Sequence, residues 1–442
     1  MAQATTAERR TVIDVRASRR SLVGGCVGNF IEWYEFGVYG YFATIIAANF
    51  FVTEGASDLE ALVKTYASFA IAFFFRPVGA WLFGRIGDRI GRRPTLLLVL
   101  VLMAVGTALI GLLPTREVVG AAAPWLLTLV RILQGLSAGG EFGGAVSLMT
   151  EHAPTRRRGL YGSLQSFTVA LGLLGGAATA AVLASLLTEG QLQSWGWRIP
   201  FLLAIPLGAV AVWLRFRIEE TPVFREATEE EVGTEVSSAD RPAATGTGAA
   251  IGLGILRLMG WSAAGYTFLV VLPSYLQVAL GASFHESLVA GVVANAGFAA
   301  SILPAGALSD RVGRRPVMLT GAVLIAVLAI PLLNLLQDEG TTTPVRFAAV
   351  FVAGAVVGLM AGPGPAMLSE MFRTTVRYTG LGLSYSLSNA VFAGSAGLII
   401  TQLIASTGDE DIPAYYVLAT CVVSAVALAT LRRDDHEHPL PR

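Results

Sequence analysis

Glu32 and Glu35 lie one helical turn apart in GNFIEWYEFGVYGYF, a stretch otherwise suited to the interior of a bilayer. With 3.6 residues per turn, Asn29, Glu32, Glu35 and Tyr39 share one face of a helix. Each acid disfavours ionisation of the other and apolar surroundings act in the same sense, so one of the pair is expected to carry a proton. Two arginines can answer them: Arg76 in AFFFRPVGAW and Arg131 in RILQGLSAGGEFGGA, with Gln134 one turn beyond Arg131 and Glu141 close to three turns on. An ionisable group at membrane depth costs several kcal/mol, so the few that occur face a cavity and serve function. Glu32, Glu35, Arg131 and Glu141 are therefore the candidate proton-coupling residues. The competing reading, fixed salt bridges from the acids to Arg76 or Arg131, stays open at this level. Arg131 reads either as an anchor for a substrate carboxylate or as a partner that tunes the acid.

Polar side chains on other apolar segments are candidates to line the same cavity. The substrate-binding set comprises Asn29, Tyr39, Arg76, Arg131, Gln134, Gln165, Tyr266, Asn295, Tyr385 and Asn389, with Tyr275 and Gln277 as weaker members. Five glycines between Gly135 and Gly144 allow another helix to approach closely. No zinc-ligand spacing, nucleophile motif or phosphate loop occurs, so an enzyme is not expected and neither a metal nor another cofactor is called for. Cys26 and Cys421 lie in apolar segments and read as packing residues. A net charge of zero gives no reason to expect nucleic acid as a partner.

The elements that must position these groups follow from composition. A chain that is 54% hydrophobic and 14% charged, with mean hydropathy +0.63, has too much apolar surface for a soluble protein. At about 20 apolar residues per crossing, the expected spans are 21–51, 62–84, 94–113, 123–150, 159–187, 197–216, 250–279, 286–309, 315–336, 345–370, 378–405 and 412–431. The fold class is thus all-α, twelve transmembrane helices in two six-helix halves. Residues 1–20 form an N-terminal segment without a cleavable signal, 21–217 the first half, 218–249 a polar linker, 250–431 the second half and 432–442 a tail.

The two halves are copies. GRIGDRIGRRP at Gly84 to Pro94 recurs 222 residues later as GALSDRVGRRP at Gly306 to Pro316, and Glu151 and Arg158 recur 219 residues later as Glu370 and Arg377. Internal repeats of this kind build secondary transporters, which bind substrate between the repeats. In the repeated loop the glycines permit a tight turn, and the aspartate can accept from arginines or a helix N-terminus. A latch between rocking halves is expected there, from Gly84, Asp88, Arg89, Gly91, Arg92, Arg93 and Glu151 in the first copy, and Asp310, Arg311, Arg314, Arg315, Glu370 and Arg377 in the second. Most of the 31 lysines and arginines fall at the N-terminus, the even-to-odd loops and the C-terminus, whereas Lys64, Arg116, Arg198 and Arg346 lie opposite. The positive-inside rule then places both termini in the cytoplasm.

With these motifs in view the chain resembles the major facilitator superfamily, specifically its metabolite:proton symporter family. The loops at Gly84–Arg93 and Gly306–Arg315 resemble the superfamily signature, and the run from Arg131 resembles its fourth-helix motif. GNFIEWYEFGVYG, GGEFGGA, WGWRIPF at Trp195–Phe201, EETPVF at Glu219–Phe224 and RYTG at Arg377–Gly380 resemble the narrower family. The resemblance implies a monomeric multi-pass carrier of the inner (cytoplasmic) membrane, working by alternating access on the proton gradient. Its partners would be the lipid bilayer, protons and a small carboxylate or zwitterion, from citrate, 2-oxoglutarate and shikimate to proline and betaines. VLPSYL at Val271–Leu276 and IPAYYV at Ile412–Val417 are most similar to proline and betaine carriers. Against that pattern, Glu35 stands where the family usually has Asp and Arg131 where Lys is expected, and the residues after Leu431 carry no coiled-coil heptads. With only two plainly intramembrane arginines, a monocarboxylate or zwitterion is favoured over a tricarboxylate. An osmoprotectant symporter and a non-transporting sensor of the same fold are the alternatives to a general organic-acid importer.

Overall fold

The computed structural model describes residues 15–216 and 247–432, apart from 54, 56, 91, 152 and 155, together with 437 and 440. It is nearly all helix, and no strand occurs among the described residues. Twelve helical rods follow the expected spans. They are α1 (Val15–Tyr41, carried on by short turns to Phe51), α2 (Asp58–Ile90), α3 (Arg92–Leu112), α4 (Ala122–Ser137, resuming at Glu141–Glu151), α5 (Arg158–Leu186) and α6 (Glu189–Leu214) in the first half. The second half has α7 (Thr247–Val278), α8 (Phe284–Val312), α9 (Arg314–Gln337), α10 (Thr343–Met371), α11 (Val376–Thr407) and α12 (Ile412–Ala429). Nine of these, among the described residues, are long and apolar enough to cross a membrane; the other three are α1, α3 and α4. Of those, α1 carries both acids, and α4 is interrupted by one 3₁₀ turn at Ala138–Gly140.

Large apolar side chains point outward, among them Trp81, Leu129 and Val327, each more than half exposed. A helix that is apolar on its outer face as well as its inner one needs lipid as solvent. The halves meet where α5 packs on α8, α2 and α4 on α11, and α1 on α7.

The repeated loop is tighter than its sequence suggests. Helix α2 continues through Asp88 to Ile90, and α8 continues through Asp310 to Val312 before Gly313 makes the turn alone, at φ 94°. Such a φ is cheap only for glycine, so one residue suffices and the aspartate stays in the last turn of the helix. Residues 1–14 and the linker at 217–246 lie outside the described residues.

Candidate functional site

Helices α2 and α4 touch backbone to backbone. A methyl group on Gly135 would lie 2.0 Å from the Ala72 carbonyl oxygen, and one on Gly139 would lie 2.0 Å from that of Arg76. Only glycine permits this approach. It brings Arg76 and Arg131 against the same aromatic cluster.

Arg76 stacks on Phe36 at 4.3 Å, Phe73 at 4.4 Å and Trp33 at 5.5 Å, and its Nη2 pairs with Glu32 at 3.3 Å. Arg131 is fully buried over Tyr39 at 4.2 Å, Phe69 at 4.9 Å and Phe36 at 5.1 Å. Its Nη1 donates to Gln134 Oε1 at 2.7 Å, while Nε and Nη2 have no hydrogen-bond partner among the described residues. Tyr266, whose hydroxyl is likewise without a partner there, closes the cluster against Trp33, Phe69 and Phe73. A guanidinium edge left open at 0% exposure is costly unless a ligand anion completes it. The unpartnered edge of Arg131 thus lies beside the aromatic faces of Tyr39, Phe69 and Phe36.

Glu35 takes a different environment from Glu32. The Thr107 hydroxyl donates to its Oε2 at 2.8 Å, and Gln134 Nε2 donates to Thr107 Oγ1 at 2.7 Å. A cavity of about 20 Å³ touches both acids and is bounded by Gly28, Met103 and Ser137. Its size suits about one water.

Other candidates divide by location. Tyr39 bonds the Ser68 hydroxyl and the Thr65 carbonyl, and so carries its ring to Arg131. Tyr385 stacks on Phe142 next to Trp261, and Asn389 donates to the Tyr385 carbonyl. Asn29 instead joins α1 to α5, through the Gln165 carbonyl at 3.1 Å and Thr168 at 2.7 Å. Gln165 is buried beside Ser166, which reaches across to the Ala361 carbonyl. Asn295 donates to the Tyr41 hydroxyl and the Leu269 carbonyl.

On the arginine-rich side, Asp310 accepts from the backbone N–H groups of Gly159 and Leu160, at 2.7 and 2.9 Å, at the N-terminus of α5 in the other half. Arg314 holds Asp310 at 2.7 Å and Glu370 at 3.1 Å, and Glu370 also meets Arg158 of the first half at 3.5 Å. A carboxylate at a helix N-terminus is favoured by the exposed N–H groups and the macrodipole. Arg377 donates to the Ser369 carbonyl, Arg315 reaches the Leu431 carbonyl, and Arg311 is exposed. In the first copy Gly84, Asp88, Arg89, Gly91, Arg92 and Arg93 fall outside the residues whose side chains are described, as do Glu141 and Glu151. At the other end the halves join through Tyr66 and Ser274, Tyr41 and Leu269, and Thr44 and Gln277. Contacts at both ends enclose the arginine cluster.

Sequence reasoning missed Thr107 and the cross-half role of Arg158. The first looks like one hydroxyl in an apolar helix, and the second was visible only as a member of the repeated pair.

Two linked halves around a buried polar cluster define a membrane carrier, and comparison with known proteins agrees. Residues 23–247 match the sugar (and other) transporter family model, and residues 252–442 match that of the major facilitator superfamily. The chain belongs to the major facilitator superfamily and is a transporter, not an enzyme. It is 36% identical to the ectoine/proline transporter of Corynebacterium glutamicum, over 98% of this chain and 87% of that one. It is 33% identical to the proline/betaine transporter of Escherichia coli strain K12, over 96% and 85%. Among solved structures a D-xylose-proton symporter superposes with TM-score 0.77 at 19% identity, over 94% of this chain and 98% of that one, a likeness of fold.

Proposed function

We propose that the chain imports a small zwitterionic osmolyte of the proline, ectoine or betaine type together with a proton, across the cytoplasmic membrane and with both termini inside. The observation that carries this reading is the open edge of Arg131. It offers two N–H directions to a carboxylate, and no described carboxylate lies within ion-pair distance of it. The surrounding rings of Phe36, Phe69, Phe73, Trp33 and Tyr266 offer faces to a cationic or apolar end. Arg76 is already paired with Glu32, so a di- or tricarboxylate would leave charge unmatched. The names of the relatives point the same way.

The halves at 21–217 and 250–431 would rock about this cluster as a monomer, with Asp310, Arg314, Glu370 and Arg158 fastening the inner gate. Glu35 would carry the proton and Glu32 would hold Arg76 in place. The test is thermal stabilisation of the purified protein, followed by competition for uptake, using proline, ectoine, glycine betaine, shikimate, 2-oxoglutarate and citrate. Stabilisation and inhibition by the zwitterions support the reading, and inhibition by citrate alone overturns it.

A further inference from the structure

Arg131, Gln134, Thr107 and Glu35 form a continuous hydrogen-bonded chain from the open guanidinium to the buried acid. The steps are 2.7, 2.7 and 2.8 Å, and every member is at most 1% exposed. Its polarity is fixed at one end. A guanidinium only donates, so the Gln134 oxygen faces Arg131 and its NH₂ faces Thr107. Thr107 Oγ1 therefore accepts from Gln134 and keeps one proton and one lone pair to dispose of. Two acceptors compete for that proton: Glu35 Oε2 at 2.8 Å and the Met103 carbonyl one turn back at 3.1 Å.

Each choice matches one protonation state. With Glu35 ionised, Thr107 donates to the carboxylate. With Glu35 protonated, the acid donates into the spare lone pair and the hydroxyl turns to Met103. In both states the Thr107 hydroxyl, Gln134 and Glu35 Oε2 keep hydrogen-bond partners.

We propose that Thr107 is the positioning residue that couples substrate binding at Arg131 to proton occupancy at Glu35, its hydroxyl switching between Glu35 and the Met103 carbonyl. The proposal rests on the symporter reading above. Among the described residues, the charged and titratable groups near Glu35 are Glu32 and Tyr34 on its own helix, with Arg76 of α2 reached through Glu32 and Arg131 of α4 through Gln134 and Thr107. Helix α3 contributes the Thr107 hydroxyl, and the side chain of Glu141 lies outside the described residues. A substrate carboxylate on Arg131 redistributes the guanidinium's hydrogen bonds, Gln134 follows, and Thr107 then favours one partner over the other.

The experiment compares Thr107→Val, which keeps the shape and removes the hydroxyl, with Thr107→Ser, which keeps the hydroxyl. Each is reconstituted in proteoliposomes with proline as the probe, or with whichever zwitterion gives the larger thermal shift. Measured are accumulation driven by a pH gradient, exchange between preloaded and external substrate, and the pH profile of KM. For the valine variant the expectation is a roughly tenfold or greater loss of driven accumulation, the scale of one hydrogen bond to a charged group, with a flattened pH profile and exchange retained. The serine variant should restore both. A valine variant with wild-type accumulation and pH profile overturns the proposal. So does one in which exchange falls as far as accumulation in a protein that still melts cooperatively, since that marks a purely structural hydroxyl. If wild-type uptake itself ignores the pH gradient, the parent reading fails and this one with it, an outcome distinct from the other two.

Discussion

Replacing Arg131 by lysine tests the carboxylate anchor without removing the charge. Lysine can remain over Tyr39, Phe69 and Phe36, so much of the cation–π attraction survives. What disappears is the planar fork: one edge now holds Gln134 at 2.7 Å, and the other presents Nε and Nη2. A single ammonium cannot serve both Gln134 and a bidentate carboxylate. The loss is therefore about one charge-assisted hydrogen bond, roughly 1.5–3 kcal/mol, which is roughly ten- to a hundredfold in apparent affinity. The exposed Arg432→Lys is the control, expected to stay within about 0.5 kcal/mol of wild type. The assay is KM for zwitterion uptake, together with competition by glycine betaine and by choline, its analogue lacking a carboxylate. Weakened betaine competition with unchanged choline competition is the expected pattern. Equal weakening of both, or a wild-type KM, refutes the assignment of Arg131 to the carboxylate.

Breaking the inter-half tie at Asp310 should unbalance the gates. Asp310→Asn weakens acceptance from Gly159, Leu160 and Arg314, about 2 kcal/mol and so roughly a thirtyfold shift in population. Labelling of single cysteines placed on either side, in a background without Cys26 and Cys421, should then rise on the arginine-rich face; an unchanged pattern with intact transport removes the latch. Gly135→Ala forces a methyl group against the Ala72 carbonyl. Overpacking of this kind costs about 1–3 kcal/mol, so the melting temperature of the purified protein should drop measurably, and an unchanged value would show that α2 and α4 do not meet at this glycine.

Much of the architecture was legible because membrane constraints act on sequence directly. Apolar length marked the spans, and the second GxxxDRxGRR copy pointed to Asp310, which takes both partners its chemistry allows: arginine and a helix N-terminus. The glycines of α4 read correctly as a close helix contact. Partner assignments inside the bundle were less legible, because sequence gives a residue's height and face on its own helix but not the rotation of its neighbour. Glu32 and Glu35 share a face, yet one meets Arg76 and the other Thr107. Gln134 resembled a substrate ligand and is bonded within the protein to Arg131 and Thr107. Asn29 shares the acids' face by spacing and is bonded to α5 instead.

Joint movement of substrate and proton through this site is tested most directly by substrate-driven proton flux. Purified protein is reconstituted in liposomes containing a pH-sensitive dye, with no imposed pH gradient, and an inward gradient of proline or betaine is applied. Internal acidification should accompany substrate entry and vanish in Glu35→Gln, which should still exchange labelled for unlabelled substrate across the membrane. Substrate entry without acidification in the wild type, or acidification undiminished in Glu35→Gln, would contradict the account.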